Sequence, residues 1–229
     1  MTITRRRILG ASLCSIATLP FSARVSSAQE NNLFPLIGDD GKPVANYRLA
    51  SELSIDALPG VVWAGSATPD VILVEFFDYN CPFCRKAAGD LDAILAKDGN
   101  FRLGLVNNAI LAVGSVQVAK VQQAVLKHFG PKRAYDFHRK MFERRGVNDG
   151  PAALQVARSL GLDVARVEAA ADGEDVISVL QKQRKLAENL GFAATPSFML
   201  NGVGILGYPG PKSMGRIIQA VRKCDTPVC

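Results

Sequence analysis

One segment constrains the fold more than any other: an apolar run followed closely by two cysteines. The run Val71–Phe77 combines β-branched and aromatic residues, which is typical of a short central strand buried on both faces. Cys81-Pro82-Phe83-Cys84 comes next, and Pro82 suits the first turn of a helix, which helix-forming residues continue over 87–97. The chain therefore predicts a strand that leads through a Cys-x-x-Cys segment into a helix.

The rest of the pattern alternates between strand and helix. Residues 101–110 are predicted as a second strand, and residues 115–190 carry apolar side chains at helical spacing. Strand character returns in two short runs, 197–200 and 203–206, which the turn residues Asn201-Gly202 separate. A final helix over 212–223 follows, so the fold class is α/β with a block of helices between its strands.

This order suggests a division of the chain into four parts. We expect a signal peptide at 1–28, an N-terminal extension at 29–66, a helical insertion at 111–190, and a main domain formed by 67–110 together with 191–229. With 229 residues and 48% hydrophobic composition, the chain can bury one sizeable core.

The N-terminus has the features of an export signal. Three arginines at positions 5–7 precede a modestly apolar stretch, and small residues lead to a predicted cleavage near Ala28. The arginines are compatible with the twin-arginine route and with the general route, and both interpretations stay open. Removal of residues 1–28 lowers the net charge from +6 to +2, and no basic run in the remainder is interleaved with aromatic residues. We therefore expect a periplasmic protein that does not bind nucleic acid.

Four cysteines remain after export, where disulfides persist. Four are too few for a disulfide-held scaffold, so one working pair and one structural pair are expected. Cys224 and Cys229 would close a short loop as a structural disulfide. A second redox pair and a soft-metal site are the alternatives for these two residues.

The pair Cys81 and Cys84 has several possible uses. Haem attachment would require His after Cys84, where Arg85 stands, and a tetrathiolate zinc site would have to recruit Cys224 and Cys229 from about 140 residues away. Redox chemistry fits better. If the helix begins at Pro82, Cys81 is its N-cap, and unpaired backbone N–H groups and the helix dipole stabilise its thiolate. Cys81 is then the attacking thiol and Cys84 the resolving thiol.

Arg85 and Lys86 are expected to add positive charge near the Cys81 thiolate, whereas Phe83 offers neither charge nor donor. We therefore expect a moderate lowering of the Cys81 pKa. Pro82 and Phe83, between the two cysteines, are predicted to contact substrate, together with Thr195 and Pro196. No cofactor and no metal are expected.

Glu75 interrupts the apolar run six residues before Cys81. A buried carboxylate is costly, so the group must be partnered, protonated or useful. One interpretation places it beneath the cysteines, where it could exchange a proton with Cys84. The other places it at a sheet edge, in contact with water or an arginine.

Thr195-Pro196 opens the strand predicted at 197–200. In this strand order the proline would face the cysteines. A cis peptide bond there would leave the backbone of Thr195 free to pair with an extended substrate peptide.

Taken together, these motifs resemble the DsbA-like branch of the thioredoxin superfamily over roughly residues 67–223. The resemblance is carried by the following segments: Val74-Glu75-Phe76-Phe77-Asp78-Tyr79-Asn80-Cys81-Pro82-Phe83-Cys84, Phe137-His138, Met141-Phe142, Leu160-Gly161-Leu162-Asp163, Ala194-Thr195-Pro196-Ser197-Phe198 and Asn201-Gly202. It implies a thioredoxin fold with an inserted all-helical domain. It also implies Cys81 as nucleophile, Cys84 as resolving cysteine, Glu75 as buried proton carrier and Pro196 as a cis-proline preceded by Thr195.

The resemblance further implies an exported protein that exchanges disulfides with client proteins and has a membrane redox partner. We expect a monomer that works as a dithiol oxidase. Phe83 stands where the enterobacterial enzyme has His, and Thr195 stands where it has Val; Thr is more usual in isomerase and reductase relatives. A disulfide isomerase or reductase kept reduced therefore remains the first alternative, and a thiolate metal-binding protein the second.

Overall fold

The structure is a computed structural model that describes residues 33–49 and 58–229. The predicted signal peptide lies outside the described residues. One six-stranded sheet organises the described part of the chain, with strand order β1-β6-β5-β3-β4-β2. The strands are β1 (Asn46–Arg48), β2 (Val62–Gly65), β3 (Val71–Phe77), β4 (Phe101–Asn107), β5 (Ser197–Leu200) and β6 (Val203–Leu206). β3 and β4 pair in parallel, and the other pairings are antiparallel.

β3 is the central strand that its composition predicts. It is hydrogen-bonded to β4 on one side and to β5 on the other. Because successive side chains of a strand point to opposite faces, Leu73 and Phe77 join one hydrophobic cluster, and Val74 and Phe76 join another. Burial on both faces explains why the run is almost wholly apolar.

Six helices accompany the sheet in the described residues: α1 (Pro82–Leu95), α2 (Val113–Glu143), α3 (Gly150–Ser159), α4 (Val164–Ala171), α5 (Glu174–Asn189) and α6 (Pro211–Cys224). α2 to α5 all lie between β4 and β5 in the chain, which confirms an α/β fold with a block of helices between its strands. α2 bends at Gly130, whose φ of 81° is left-handed, and Pro131 restarts the helix beyond the bend.

The N-terminal segment contributes to the same sheet as the rest of the described chain. β1 pairs with β6 at one edge, and β2 pairs with β4 at the other. The segment predicted as an extension, 29–66, therefore supplies both edge strands.

The second predicted strand is shorter than expected. Residues 101–110 were expected to be extended throughout, but β4 ends at Asn107. The backbone N–H groups of Ile110 and Leu111 donate to the side chain of Asp78 instead of to a neighbouring strand. Within the described residues, none of the helices combines the length and the apolar character needed to cross a bilayer.

Candidate active site

The two cysteines of the Cys-x-x-Cys segment lie at the start of α1. Cys81 is the N-cap, with extended backbone angles, and Pro82 occupies the first turn. The backbone N–H of Cys84 donates to Cys81 Sγ at 3.5 Å. Both thiols are free and buried; Cys81 is 4% exposed and Cys84 is 0% exposed. Cys81 Sγ is therefore the sulfur of the pair that another molecule can reach.

Cys81 is held in surroundings that favour its thiolate. The hydrogen bond from the Cys84 thiol lowers the pKa of Cys81 most, and the Thr195 side chain and the backbone N–H groups of Cys84 and Phe83 lower it further. Burial opposes them, and the resulting pKa is about 6 against an ordinary value of 9.0. These N–H groups are the ones that an N-cap receives at the first turn of a helix.

Arg85, which was expected to add positive charge near the Cys81 thiolate, is not among the groups that lower the pKa of Cys81. Its guanidinium donates to the carbonyl oxygens of Phe142 and Arg144 and lies over the ring of Phe142 at 5.8 Å. It therefore ties α1 to the C-terminal end of α2. Lys86 is exposed.

Cys84 is kept protonated. Burial, the hydrogen bond to Cys81 and the charge of Glu75 all raise the pKa of the Cys84 thiol, burial being the largest cause. A thiol that resists ionisation is a poor nucleophile and needs a proton acceptor before it can attack.

Glu75 lies in the interior of the sheet, so the interpretation that placed it at a sheet edge is wrong. It pairs with Leu105 of β4 and Phe198 of β5, and it is 0% exposed. Neither carboxyl oxygen has a hydrogen-bonding partner among the described residues. Burial, followed by the charge of Cys81, raises the pKa of Glu75 to about 8. The carboxyl group is therefore protonated at neutral pH and able to take or give a proton close to that pH.

The loop before β5 lies against the Cys81 thiol. The Thr195–Pro196 peptide bond is cis, and Cys81 Sγ lies 3.2 Å from the carbonyl oxygen of Thr195, to which it donates when it is protonated. Pro196 is buried, and its carbonyl oxygen accepts a hydrogen bond from the backbone N–H of Gly207. The structure thus brings Thr195 and Pro196 to the two cysteines, from which they are more than a hundred residues away in the sequence.

Pro82 and Phe83 face outward beside the thiol. Pro82 is exposed, and the Phe83 side chain is 62% exposed, an unusual position for a large apolar group. Both side chains are therefore accessible from solvent.

A polar network around the Cys-x-x-Cys segment had no assigned role in the sequence analysis. The Asp78 carboxylate accepts hydrogen bonds from Asn80 N–H and Ser115 O–H, and the side chain of Asn80 exchanges hydrogen bonds with the backbone of Asn148. Asp78 and Asn80 belong to the segment that carries the family resemblance, which is the signal that could have drawn attention to them. Asn148 gave no such signal, since it lies 68 residues from Asn80.

Cys224 and Cys229 are joined by a disulfide, with their Cα atoms 6.0 Å apart, at the C-terminal end of α6. In residues 33–49 and 58–229, no group of three or more His, Cys, Asp or Glu side chains could hold a metal ion.

His138 is a core residue. It is buried among Phe77, Tyr79 and Phe142, and its Nδ1 lies 3.4 Å from the Tyr79 hydroxyl. Burial lowers the pKa of His138 to about 3, so the ring is neutral.

Known proteins share both the sequence pattern and the fold. The pattern of a family described as thioredoxin matches residues 58–220. Disulfide bond formation protein D of Bacillus subtilis is 26% identical over 147 residues, which cover 60% of this chain and 66% of that protein. The chain thus spans just under two thirds of that relative, and it spans a quarter of the Na⁺/H⁺ antiporter NhaA sequences that it also matches.

Two solved structures show the same architecture. A thioredoxin-like oxidoreductase from Silicibacter pomeroyi DSS-3 superposes with a TM-score of 0.68 at 28% identity, over 75% of this chain and 99% of that one. The thiol-disulfide exchange protein alpha-DsbA2 from Wolbachia pipientis superposes with a TM-score of 0.65 at 20% identity, over 70% of this chain and 87% of that one.

The fold and the paired thiols define the class: thioredoxin-fold proteins with a Cys-x-x-Cys pair. The first of these neighbours is described as a thioredoxin-like oxidoreductase and the second as a thiol-disulfide exchange protein. The chain belongs to the thioredoxin family. These matches confirm the predicted DsbA-like resemblance and the predicted thioredoxin fold with a helical insertion. They also confirm the predicted enzyme class, a thiol:disulfide oxidoreductase.

Proposed function

We propose that the protein catalyses thiol–disulfide exchange with the cysteines of client proteins, with Cys81 as the reacting sulfur. The observation that carries this proposal is the thiol of Cys81 at the start of α1, with a pKa of about 6, next to a Cys84 thiol that stays protonated. A low pKa makes Cys81 a nucleophile at neutral pH and a good leaving group from a mixed disulfide.

The reaction begins from the oxidised pair. A client thiolate attacks Cys81 Sγ, the bond between the two sulfurs breaks, and Cys84 leaves as a thiolate that takes a proton from Glu75. A second client thiolate then attacks the client sulfur of the mixed disulfide, and Cys81 leaves as a thiolate. Two electrons pass from the client to the protein, and the client gains a disulfide.

The direction we favour is oxidation of clients. Stabilisation of the Cys81 thiolate favours the reduced pair, and a pair whose reduced form is stabilised is a strong oxidant. Thr195 before Pro196 supports the alternative, an isomerase or reductase held reduced, because the family resemblance associates Thr with those relatives. The exposed Phe83 and Pro82 would contact the client chain, and the backbone of Thr195 would pair with it.

Equilibration of the purified protein with glutathione redox buffers tests the direction. We expect a reduction potential well above that of thioredoxin, together with disulfide formation in a reduced, unfolded client. A potential close to that of thioredoxin, or a pair found wholly reduced when thiols are trapped in intact cells, would favour the alternative. Absence of any exchange with client or glutathione would overturn the proposed function itself.

We further propose that the protein is exported to the periplasm as a monomer, with the signal at residues 1–28 removed, and that a membrane partner restores the redox state of the pair. The arginine-led N-terminus and the periplasmic origin stated for a similar thioredoxin-like protein of Salmonella enterica serovar Typhimurium support the location. Fractionation of cells that produce the full chain checks it, with a cytoplasmic product of full length as the contrary result.

A further inference from the structure

The side chain of Asp78 has an unusual set of partners. It follows β3 directly, lies three residues before Cys81, and is 1% exposed. One carboxylate oxygen, Oδ1, accepts hydrogen bonds from Asn80 N–H at 2.7 Å and Ser115 O–H at 2.6 Å. The other, Oδ2, accepts from the backbone N–H groups of Ile110 and Leu111 at 2.8 and 2.9 Å. Four donors thus converge on one buried carboxylate, a group that only accepts.

These partners belong to two segments that must be aligned for the chemistry. Besides the side-chain bonds, the carbonyl oxygen of Asp78 accepts the backbone N–H of Cys81 at 3.1 Å. Asp78 therefore holds the loop that carries Cys81 on one side. On the other side its carboxylate holds the loop between β4 and α2, through the backbone N–H groups of Ile110 and Leu111. This loop begins where β4 ends, at Asn107.

The loop between β4 and α2 is also bonded to the segment that leads to Thr195. Asn108 is buried; its backbone N–H donates to Phe77 O at 2.8 Å, and its side-chain amide donates to Phe192 O at 3.0 Å. Thr195 follows three residues after Phe192, and its carbonyl oxygen lies 3.2 Å from Cys81 Sγ. Hydrogen bonds, together with the short backbone segments 108–111 and 192–195, thus link the loop of the thiol to the loop that the thiol contacts.

We propose that Asp78 is a positioning residue for thiol–disulfide exchange: it fixes the sulfur of Cys81 between the first backbone N–H groups of α1 and the loop of Thr195. The inference rests on the proposed function of the Cys81–Cys84 pair. Among the described residues Asp78 has no hydrogen bond to the Cys81 sulfur, and it acts on that sulfur through the backbone of residues 80, 81, 110 and 111.

The Asp78→Asn variant separates positioning from a simple effect of charge. Asn keeps the shape of the side chain, but its NH₂ group must then face donors, so at least one hydrogen-bonded pair is lost. Loss of a negative charge near a thiolate would, by itself, lower the pKa of Cys81. Loss of alignment would raise that pKa, because the sulfur would leave the N–H groups that stabilise it. The two explanations therefore predict opposite signs.

The experiment measures the thiolate absorbance of the reduced protein against pH, and the equilibrium with glutathione, for wild type and Asp78→Asn. We expect the ionisation constant of Cys81 to fall about tenfold, which is one pKa unit, and the pair to become less oxidising. Ser115→Ala, which removes one of the four donors, should shift both quantities in the same direction by a smaller factor.

A matched control is available at the other end of the sheet. Asp98 also accepts several hydrogen bonds, from Asn100 N–H and from the Arg222 guanidinium. It precedes β4, whereas Cys81 follows β3; since β3 and β4 are parallel, the two sites lie at opposite ends of the sheet. Asp98→Asn should lower the free energy of unfolding and leave the ionisation of Cys81 unchanged.

An unchanged or lowered pKa of Cys81 in Asp78→Asn would overturn the inference while leaving the exchange activity of the wild type standing. If the wild type itself shows no exchange, the proposed function fails. Should Asp78→Asn not fold, Ser115→Ala decides: an unchanged pKa and an unchanged glutathione equilibrium in that variant would likewise overturn the positioning role.

Discussion

The two cysteine pairs sit at opposite kinds of helix end. Cys81 caps the N-terminus of α1, where backbone N–H groups point at its sulfur, whereas Cys224 is the last residue of α6, and its sulfur lies 3.1 Å from the carbonyl oxygen of Ala220. The first environment stabilises a negative sulfur and the second does not. Two pairs of the same residue type can therefore differ in use: the pair at the N-terminus is suited to exchange, and the pair at the C-terminus is suited to hold a chain end.

The largest expected effect separates the two pairs directly. Cys81→Ser should reduce disulfide exchange with a reduced client to the uncatalysed background, because the serine hydroxyl cannot form the mixed disulfide. A double Cys224→Ser and Cys229→Ser variant should keep the wild-type rate. Retained activity in Cys81→Ser, or its loss in the double variant, would reverse the roles of the two pairs.

The pH dependence of alkylation sharpens the comparison within the first pair. With the pKa of Cys81 near 6, the alkylation rate of the reduced protein should be half-maximal close to pH 6 and level off by neutral pH. Cys84 should stay unmodified over this range, because burial raises its pKa. Mass spectrometry of the alkylated protein locates the modified residue, and a midpoint near pH 9 would contradict the thiolate at the helix start.

The same shift should appear in stability. The pKa of Cys81 is depressed in the folded protein, so its stabilising contribution is fully present above the unfolded value of 9.0 and is lost as pH falls through about 6. Between these limits the unfolded chain holds the extra proton, and the reduced wild type should gain stability with rising pH relative to Cys81→Ser. Urea unfolding of both reduced proteins across this range measures the difference.

Glu75→Gln is expected to raise the stability relative to the wild type at neutral and alkaline pH, and to slow disulfide exchange. The pKa of Glu75 is raised in the folded protein from 4.5 to about 8, so the wild type loses stability as pH rises through that window. The variant has no carboxyl group to ionise at this position, so its free energy of unfolding should not fall in this way. The difference in free energy of unfolding between variant and wild type should therefore grow by up to about 1.4 kcal/mol per pH unit between pH 4.5 and about 8. Its exchange should slow by about a hundredfold if Glu75 transfers the proton of Cys84.

Urea unfolding of Glu75→Gln and wild type, both oxidised so that the Cys81 thiolate is absent, isolates the part of the shift that comes from burial. Accumulation of the mixed disulfide in quenched reactions reports on the proton transfer. Equal pH profiles of stability would show that the carboxyl group is not shifted in the folded protein.

The smallest effect concerns the second pair. Removal of the Cys224–Cys229 disulfide in the double Ser variant should lower the free energy of unfolding by about 2 kcal/mol, since the loop it closes is short. Denaturant unfolding of the oxidised proteins measures this cost. A loss of exchange together with stability would indicate that the C-terminal pair does more than hold the chain end.

The central part of the site could be predicted from local sequence. Val71–Phe77 has the composition of a buried strand, Pro82 marks the first turn of a helix, and Cys81 precedes it, so the N-cap position of the sulfur needs no distant information. The cis-proline loop needed the strand order as well, because Pro196 lies more than a hundred residues from Cys81.

Other parts depend on contacts that no local pattern encodes. Whether Glu75 is central or at an edge depends on which strands flank β3, and the pairings with β4 and β5 decide it. β4 ends early although Ala109 and Ile110 continue its apolar character, because Asp78 takes the N–H groups at 110 and 111. The Arg85 guanidinium donates hydrogen bonds to two carbonyl oxygens at the end of α2. The charges along α1 alone could not predict this contact between two distant segments.

The short strands at the two margins of the sheet have a consequence for how the protein can be trimmed. β1 and β2 shield β6 and β4, so a shortened chain that begins after residue 65 would leave the N–H and C=O groups on both outer sides without their neighbours. Such a fragment would retain Cys81 and Cys84, but the uncovered edges of β6 and β4 would be open to pairing with other copies of the fragment. In the longer chain β1 and β2 already occupy those edges.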